Sequence, residues 1–157
     1  GFSMDRIDRQ ILNILQLNGR ITNKAIAERI GLSTPAVLER IKKLENNGFI
    51  KGYKAILDPE KLGKKITAIM AITIDRKNME SLDKIRDAII SCKEIRSYYF
   101  TTGKYDFILN VSMDSITALE EFLMKRISFI IPSIRNVETF IVLSTEEDMG
   151  YDIPVEE

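Results

Sequence analysis

A run of polar and cationic side chains from Ser33 to Lys43 is the part of this sequence best suited to bind a polyanion. Guanidinium and ammonium groups bind phosphate oxygens, whereas hydroxyl and small apolar groups contact base edges in the major groove of DNA. If the run is helical, its first residues meet the bases and its cations meet the phosphates. The candidate DNA contacts are Ser33, Thr34, Pro35, Leu38, Glu39, Arg40, Lys42 and Lys43.

Two alternatives stand beside this interpretation. Taken alone, Arg40, Lys42 and Lys43 are more often a solvated helix face than a binding surface. Glu39 could accept a hydrogen bond from a cytosine amino group, or it could pair with Lys42 or Lys43 along the helix. The pairing is the favoured role of Glu39.

Three short helices must position these side chains. Apolar residues at helical spacing predict the first helix over residues 5–17, with Gly19 as its C-cap. The second is predicted from an N-cap at Thr22 to Gly31. The third has Thr34 as its N-cap, Pro35 at its first position, and Val37, Ile41 and Leu44 on its buried face.

The junction between the second and third helices is typical of a helix-turn-helix. Ala27 is small enough for the two helices to approach closely, and Gly31 can adopt a left-handed conformation without a Cβ penalty. Leu32 is predicted to fill the core beneath the turn. Residues 49–57 alternate partly between apolar and polar, which predicts a strand leaving a winged-helix-like domain.

The net charge of zero conceals two halves of opposite sign. Residues 1–65 hold 13 Lys+Arg and 7 Asp+Glu, whereas residues 66–157 hold 10 and 16. This asymmetry predicts two domains, of which the basic one faces a polyanion. The predicted boundaries are a DNA-binding domain over 4–57, a linker over 58–65, a second domain over 66–147 and a tail over 148–157.

The composition argues against catalysis. The chain has no histidine, one cysteine (Cys92) and no glycine-rich phosphate loop, so it lacks the commonest general base and the usual zinc ligands. We therefore predict no catalytic residues, no metal and no cofactor. A single cysteine and the absence of a long apolar run favour a cytoplasmic protein without a membrane partner.

The second half alternates between strand and helix patterns in the order βαββαβ, which predicts a ferredoxin-like sandwich and an α+β fold for the whole chain. Strands are expected over 66–74, 95–102, 107–113 and 137–144. Helices are expected from Asn78 to residue 91, with Leu82, Ile85 and Ile89 inward, and from Ser115 to residue 130, with Ile116, Leu119, Leu123 and Ile127 inward.

The sheet of such a fold carries helices on one face only, yet its other face is predicted to be apolar. The side chains assigned to that open face are Ile69, Ala71, Tyr98, Phe100, Ile108, Phe140 and Val142. An apolar open face favours burial against a second copy of the chain. An error of one residue in register would exchange the two faces.

The segment 101–106 joins the second and third predicted strands. Gly103 can form the turn and Asp106 can accept from backbone N–H groups, so a plain hairpin turn explains the segment.

Several motifs resemble the leucine-responsive regulatory protein/AsnC family of transcription regulators. They lie at residues 5–12, 19–21, 31–33, 38–45 and 48–53, and the resemblance extends from Met4 to about residue 147. It implies a regulator that binds double-stranded DNA as a homodimer, assembles into an octamer and responds to an amino acid.

The resemblance also implies an effector site. Gly103 and Asp106 match the family's Gly-x-x-Asp element, and Thr101, Thr102 and Tyr105 lie within reach of it. In the site that the resemblance implies, Asp106 would bind the ammonium group of an amino acid, and N–H or hydroxyl donors would bind its carboxylate. Where family members often have Pro-Gly before the last strand, this chain has Pro132-Ser133. Ser133 is therefore a further candidate that could narrow the pocket or add a donor.

Two other functions are compatible with the residues. The second domain could be a metabolite-binding module with the helices as an interaction module, or the chain could compact DNA without sequence preference.

Overall fold

The computed structural model describes residues 1–156, which form two compact units. One contains Gly1–Ile56 together with the C-terminal residues from Glu146 onward, and the other contains Leu57–Thr145. The tail was predicted as a separate segment, but it packs with the first unit. None of the helices among residues 1–156 is long and apolar enough to span a membrane.

The first unit is built on three helices, α1 (Arg6–Leu17), α2 (Asn23–Ile30) and α3 (Thr34–Asn46). Each begins at a side chain that accepts a hydrogen bond from a free N–H of the first turn: Asp5, Thr22 and Ser33. Ile11, Ile26, Val37 and Leu44 are completely buried between them. The predicted tri-helical core is present.

The structure corrects three local predictions in this unit. Asn18, not Gly19, is the C-cap of α1. Ser33, not Thr34, is the N-cap of α3, because the Ser33 hydroxyl accepts from Ala36 N–H, so Pro35 lies one position further along. Residues 49–57 form no strand, because a strand requires a neighbour's backbone groups and none of the described residues supplies them here.

The second unit has the predicted βαββαβ order. Its elements are β1 (Ile66–Ile74), α4 (Leu82–Ile90), β2 (Ile95–Phe100), β3 (Phe107–Met113), α5 (Ile116–Glu121), a π-helical segment (Phe122–Arg126), α6 (Ile127–Ile130) and β4 (Ile134–Ile141). The strands form one antiparallel sheet in the order β2-β3-β1-β4. This is the arrangement of a ferredoxin-like sandwich.

Several predicted boundaries of the second unit are wrong. Ser81, not Asn78, caps α4, and β4 lies three residues earlier than predicted. The helix after Ser115 is interrupted by the π-helical segment. Leu82 and Ile116, predicted to point inward, are about half exposed because each opens its helix at the rim of the core.

The open face of the sheet was assigned correctly on three strands and incorrectly on β2. Tyr98 pairs with the buried Leu109 and packs on the core, whereas Tyr99 pairs with Ile108 on the open face. Phe100 packs against Phe107 of the core. The cause is a register shift between residues 95 and 97, since one extra residue in a strand reverses the alternation beyond it.

The open face therefore carries apolar side chains from all four strands. Tyr99 and Phe140 are 65% and 48% exposed. The complete apolar set is Ile69, Ala71, Tyr99, Ile108, Phe140 and Val142.

Substituting Gly31 tests the backbone of the turn between α2 and α3. Gly31 has φ +75° and no atom within 4 Å of a Cβ placed there, so Gly31→Ala meets conformational strain and no clash. We expect a loss of about 1 kcal/mol of stability, the cost of a left-handed residue with a Cβ. Urea unfolding measures it.

Gly52→Ala is the matched control, because Gly52 is also uncrowded but has no positive φ. Equal stability losses in the two variants would contradict the assignment of the cost to the left-handed turn.

Candidate functional site

The outer surface of α3 is exposed by the way the helix is anchored. The left-handed Gly31 reverses the chain, and the N–H groups of Gly31 and Leu32 both donate to Ala27 C=O. Val37, Ile41 and Leu44 hold the inner side. All of the predicted DNA contacts except Arg40 face solvent; they are Ser33, Thr34, Pro35, Leu38, Glu39, Lys42 and Lys43.

Arg40 differs from the other predicted contacts because its guanidinium is bound within the domain. Its Nη1 lies 2.7 Å from both carboxylate oxygens of Asp5 and 3.1 Å from Oδ1 of Asp8. Asp5 is the N-cap of α1, and Asp8 is buried. Arg40 therefore joins the exposed helix α3 to the first turn of α1.

The charges of this cluster stabilise one another. The hydrogen bond from Arg40 is the main cause that lowers the pKa of Asp5 from 3.8 to about 2, with a further contribution from Asp8 N–H. The same contacts raise the pKa of Arg40. Asp5 and Asp8 also form a reciprocal capping box. The carboxylates that cap α1 are therefore the same ones that bind Arg40 of α3.

Glu39 pairs with a lysine one turn further along α3. Its Oε1 lies 3.3 Å from Nζ of Lys43. The favoured prediction, pairing along the helix, is confirmed. Because the pair is exposed, its contribution to stability is small.

The second predicted site lies at one end of the sheet and centres on Asp106. Its carboxylate is buried, and it accepts from Ile74 N–H at 2.8 Å and from Nη2 of Arg76 at 2.6 Å. Asp106 N–H donates to Ile72 C=O, which fastens the turn to β1. Burial acts to raise the pKa of Asp106, but the bonds from Ile74 and Arg76 outweigh it and the pKa is lowered.

Each oxygen of Asp106 thus already has a donor within the chain. This differs from the expectation of a carboxylate free to receive a ligand's ammonium group. Arg76 was not identified from the sequence, because it lies 30 positions from Asp106 and only the pairing of β1 with β3 brings the two together.

The turn itself is held by short-range hydrogen bonds. Gly103 has φ +94°, and Thr101 Oγ1 donates to Tyr105 C=O at 3.0 Å while Thr101 N–H donates to Asp106 C=O. The Tyr105 hydroxyl donates to the carboxylate of Glu138 on β4, which raises the pKa of Tyr105. Thr102 is exposed on the turn.

Ser133 joins the same end of the sheet from the loop before β4. Its carbonyl accepts from Asp75 N–H at 2.8 Å, and its hydroxyl donates to Glu80. Ser133 is 6% exposed. The loops after β1, β2 and α6 therefore meet here, and they carry the candidates Thr101, Thr102, Gly103, Tyr105, Asp106 and Ser133.

Neither surface has the donor set of a metal centre. Among residues 1–156, no cluster of three or more His, Cys, Asp and Glu side chains could hold a metal ion. The first surface instead offers cations and hydroxyl groups beside small apolar groups, and the second offers turn backbone, hydroxyl groups and one guanidinium.

Comparison with protein families covers both units. Residues 4–51 match the model of a winged helix-turn-helix DNA-binding domain, and residues 67–150 match the model of the Lrp/AsnC ligand-binding domain. The chain belongs to the Lrp/AsnC family. It is accordingly a DNA-binding transcription regulator and not an enzyme.

Lrp/AsnC relatives resemble this chain over nearly its whole length. The leucine-responsive regulatory proteins of Escherichia coli K12 and Klebsiella pneumoniae are each 33% identical to it over 143 residues, or 91% of this chain and 87% of theirs.

Solved structures of the family show the same architecture. A Neisseria meningitidis transcriptional regulator in complex with L-methionine has a TM-score of 0.85 and 27% identity, over 93% of this chain and 94% of that one. A feast or famine regulatory protein from M. tuberculosis, also complexed with L-methionine, has a TM-score of 0.85 and 33% identity, over 97% and 100%.

The cluster of Asp5, Asp8 and Arg40 predicts a pH-dependent contribution to stability. Asp5→Ala removes an N-cap and the main partner of Arg40, so we expect a loss of about 1–2 kcal/mol at pH 7. Because the pKa of Asp5 is lowered in the folded state, its contribution is present above the unfolded value near 4 and is lost as the pH falls toward 2.

Urea unfolding of the Asp5→Ala variant and the unmodified chain at pH 7 and near pH 2.5 measures this difference. Glu28→Ala, which removes an exposed carboxylate on α2, is the control and should cost little at either pH. A difference for Asp5→Ala that stays constant between the two pH values would contradict the assignment.

Proposed function

We propose that this Lrp/AsnC regulator binds specific operators through the outer surface of α3 and that an amino acid at the end of the sheet modulates its assembly or DNA affinity. The observation that carries the proposal is the exposed surface of α3, whose hydroxyl and apolar side chains precede its exposed lysines. A recognition helix in the major groove uses this order of contacts.

Within that surface we assign two roles. We assign Ser33, Thr34, Pro35 and Leu38 to base edges and Lys42 and Lys43 to phosphates. Glu39, which pairs with Lys43, lies between these two groups. Arg40 is assigned to positioning, because its guanidinium is engaged by Asp5 and Asp8 and so fixes α3 on α1. This ion pair sets the orientation of α3, and the contacts of α3 with the major groove of DNA depend on that orientation.

The open face of the sheet supports assembly into homodimers. Tyr99 and Phe140 expose aromatic rings on a face that no helix among residues 1–156 covers, and an apolar face of this kind is buried most readily against a second copy. A twofold dimer presents two copies of α3 to a near-palindromic operator. We propose further association of dimers into octamers and a location in the cytoplasm.

The effector site is proposed at the meeting of the loops that carry Gly103, Asp106 and Ser133. Two similar structures contain L-methionine, which supports an amino acid as the class of ligand. In this chain Asp106 orders the turn through Ile74 and Arg76, and the exposed Thr102 lies on that turn beside it. An effector that binds one assembly state better shifts the population toward that state.

Removing Lys42 and Lys43 tests the DNA surface. The double variant Lys42→Ala/Lys43→Ala should bind DNA from upstream of its own gene more weakly. The slope of log K against log salt should become less steep by about 2, because two phosphate contacts are lost. Fluorescence anisotropy at several salt concentrations measures both quantities.

Lys61→Ala/Lys65→Ala removes two exposed lysines of the other unit and serves as the control. If both double variants lowered affinity equally, general charge would explain the binding and α3 would lose its assigned role.

Asp106→Asn tests the effector site. The amide retains an acceptor for Ile74 N–H but cannot form the ion pair with Arg76, so the turn loses part of its order. We expect binding of L-methionine, the probe ligand, to weaken about tenfold or more by calorimetry, while DNA binding without amino acid is unchanged.

Asp114→Asn is the matched control, because Asp114 follows the other end of β3 and forms an ion pair with Lys64. The measurement uses a panel of amino acids that includes one shown to bind the unmodified chain. If Asp106→Asn bound that amino acid as tightly as the unmodified chain does, Asp106 would be removed from the site.

A further inference from the structure

The C-terminal segment is bound to the polar side of α1. Gln16 uses both atoms of its side-chain amide on one residue of the segment: Nε2 donates to Tyr151 C=O and Oε1 accepts from Tyr151 N–H, each at 2.8 Å. Asn13 Nδ2, one turn earlier on α1, donates to Ile153 C=O at 2.9 Å. Gln16 and Asn13 thus bind the segment as a neighbouring strand would.

Gly150 shows that this contact is selective for the sequence of the segment. It has φ +76°, and a Cβ placed on it would lie 2.8 Å from Oε1 of Gln16. Asp148 Oδ1 accepts from Gly150 N–H and holds the bend. A side chain at position 150 would meet backbone strain, and its Cβ would require the amide of Gln16, the group that binds the segment, to move.

The segment also changes the charge of the unit to which it belongs. Residues 1–56 contain 10 Lys+Arg and 5 Asp+Glu, whereas residues 146–157 contain six Asp+Glu and no Lys or Arg. The DNA-binding unit therefore has a net charge of +5 without the segment and −1 with it. Long-range attraction to DNA phosphates depends on this balance.

We infer that the outer face of α1, through Asn13 and Gln16, is a docking site for the acidic C-terminal segment of this chain, and that the docked segment lowers the affinity of the regulator for DNA. The inference rests on the proposed DNA contacts of α3. The segment acts as a competing polyanion held inside the DNA-binding unit, and its release strengthens DNA binding.

Amide hydrogen exchange tests the docking without any DNA. The Tyr151 N–H should exchange at least tenfold more slowly than in an unstructured peptide, because it is bonded to Gln16. Gly150→Ala and Gln16→Ala should remove the protection. Gly63→Ala, which also replaces a glycine of positive φ but has no atom within 4 Å of its Cβ position, should leave it intact.

Affinity for a random-sequence duplex tests the effect on DNA, independently of any operator. Two full-length variants separate docking from charge: Gly150→Ala undocks the segment and keeps its carboxylates, whereas Glu146→Gln/Asp152→Asn/Glu156→Gln keeps the docking residues and removes three charges. Both should bind the duplex at least threefold more tightly than Gly63→Ala at low salt. The gain should shrink as salt screens the charges.

Three results would overturn the inference. The first is an unprotected Tyr151 amide in the unmodified chain, and the second is an unchanged affinity of Gly150→Ala for the duplex. The third is a gain in duplex affinity that accompanies a change of assembly state in light scattering. If the unmodified chain bound no DNA at all while Tyr151 remained protected, the proposed DNA contacts would fail and the docking site alone would stand.

Discussion

The orientation of α3 depends on an ion pair that crosses the helical domain. The core residues Val37, Ile41 and Leu44 allow α3 to pack on its neighbours, but apolar contacts are not directional. The bonds from Arg40 to Asp5 and Asp8 add direction, because Nη1 of Arg40 must lie within hydrogen-bond distance of two carboxylates that the first turn of α1 holds in place. They also join the cap of α1 to α3, the helix proposed to contact DNA, so the position of its exposed lysines depends on the first turn of the domain.

The sensing unit uses a related device at the end of its sheet. Asp106 is buried with a hydrogen bond to each oxygen, one from the backbone of β1 and one from Arg76. A buried carboxylate that lost either donor would be costly, so the turn between β2 and β3 has one favoured arrangement relative to β1. Ser133 and Glu138 bring the last loop and β4 to the same place. A ligand site formed there is built on ordered loops, and its organising charge is already satisfied.

The two units differ in how they meet a partner. The helical unit presents discrete charges on one helix, and the acidic segment bound to α1 alters their balance. The second unit presents a sheet face whose exposed aromatic rings favour association with another copy. The surfaces proposed for DNA binding and for assembly are therefore different, and linkage between them requires a change in the population of assembly states.

The sequence by itself determined the types of the elements and the architecture. Periodicity of apolar residues, N-cap residues such as Thr22 and the left-handed glycine at position 31 are local signals, so the three helices and the βαββαβ order followed from them. The exposed surface of α3 and the pairing of Glu39 with Lys43 were likewise predictable, because residues four apart on a helix are neighbours.

Only the tertiary structure decided which charges are free and where β2 reverses its faces. Arg40 lies 35 positions from Asp5 and Arg76 lies 30 from Asp106, so no local pattern marks these bonds. The register shift after Ile95 moved Tyr98 into the core and Tyr99 onto the open face, although alternation alone predicts the opposite. The docking of Tyr151 on Gln16 spans 135 positions. In each case the deciding contact is between chain segments distant in sequence, whose approach is set by packing rather than by local conformational preference.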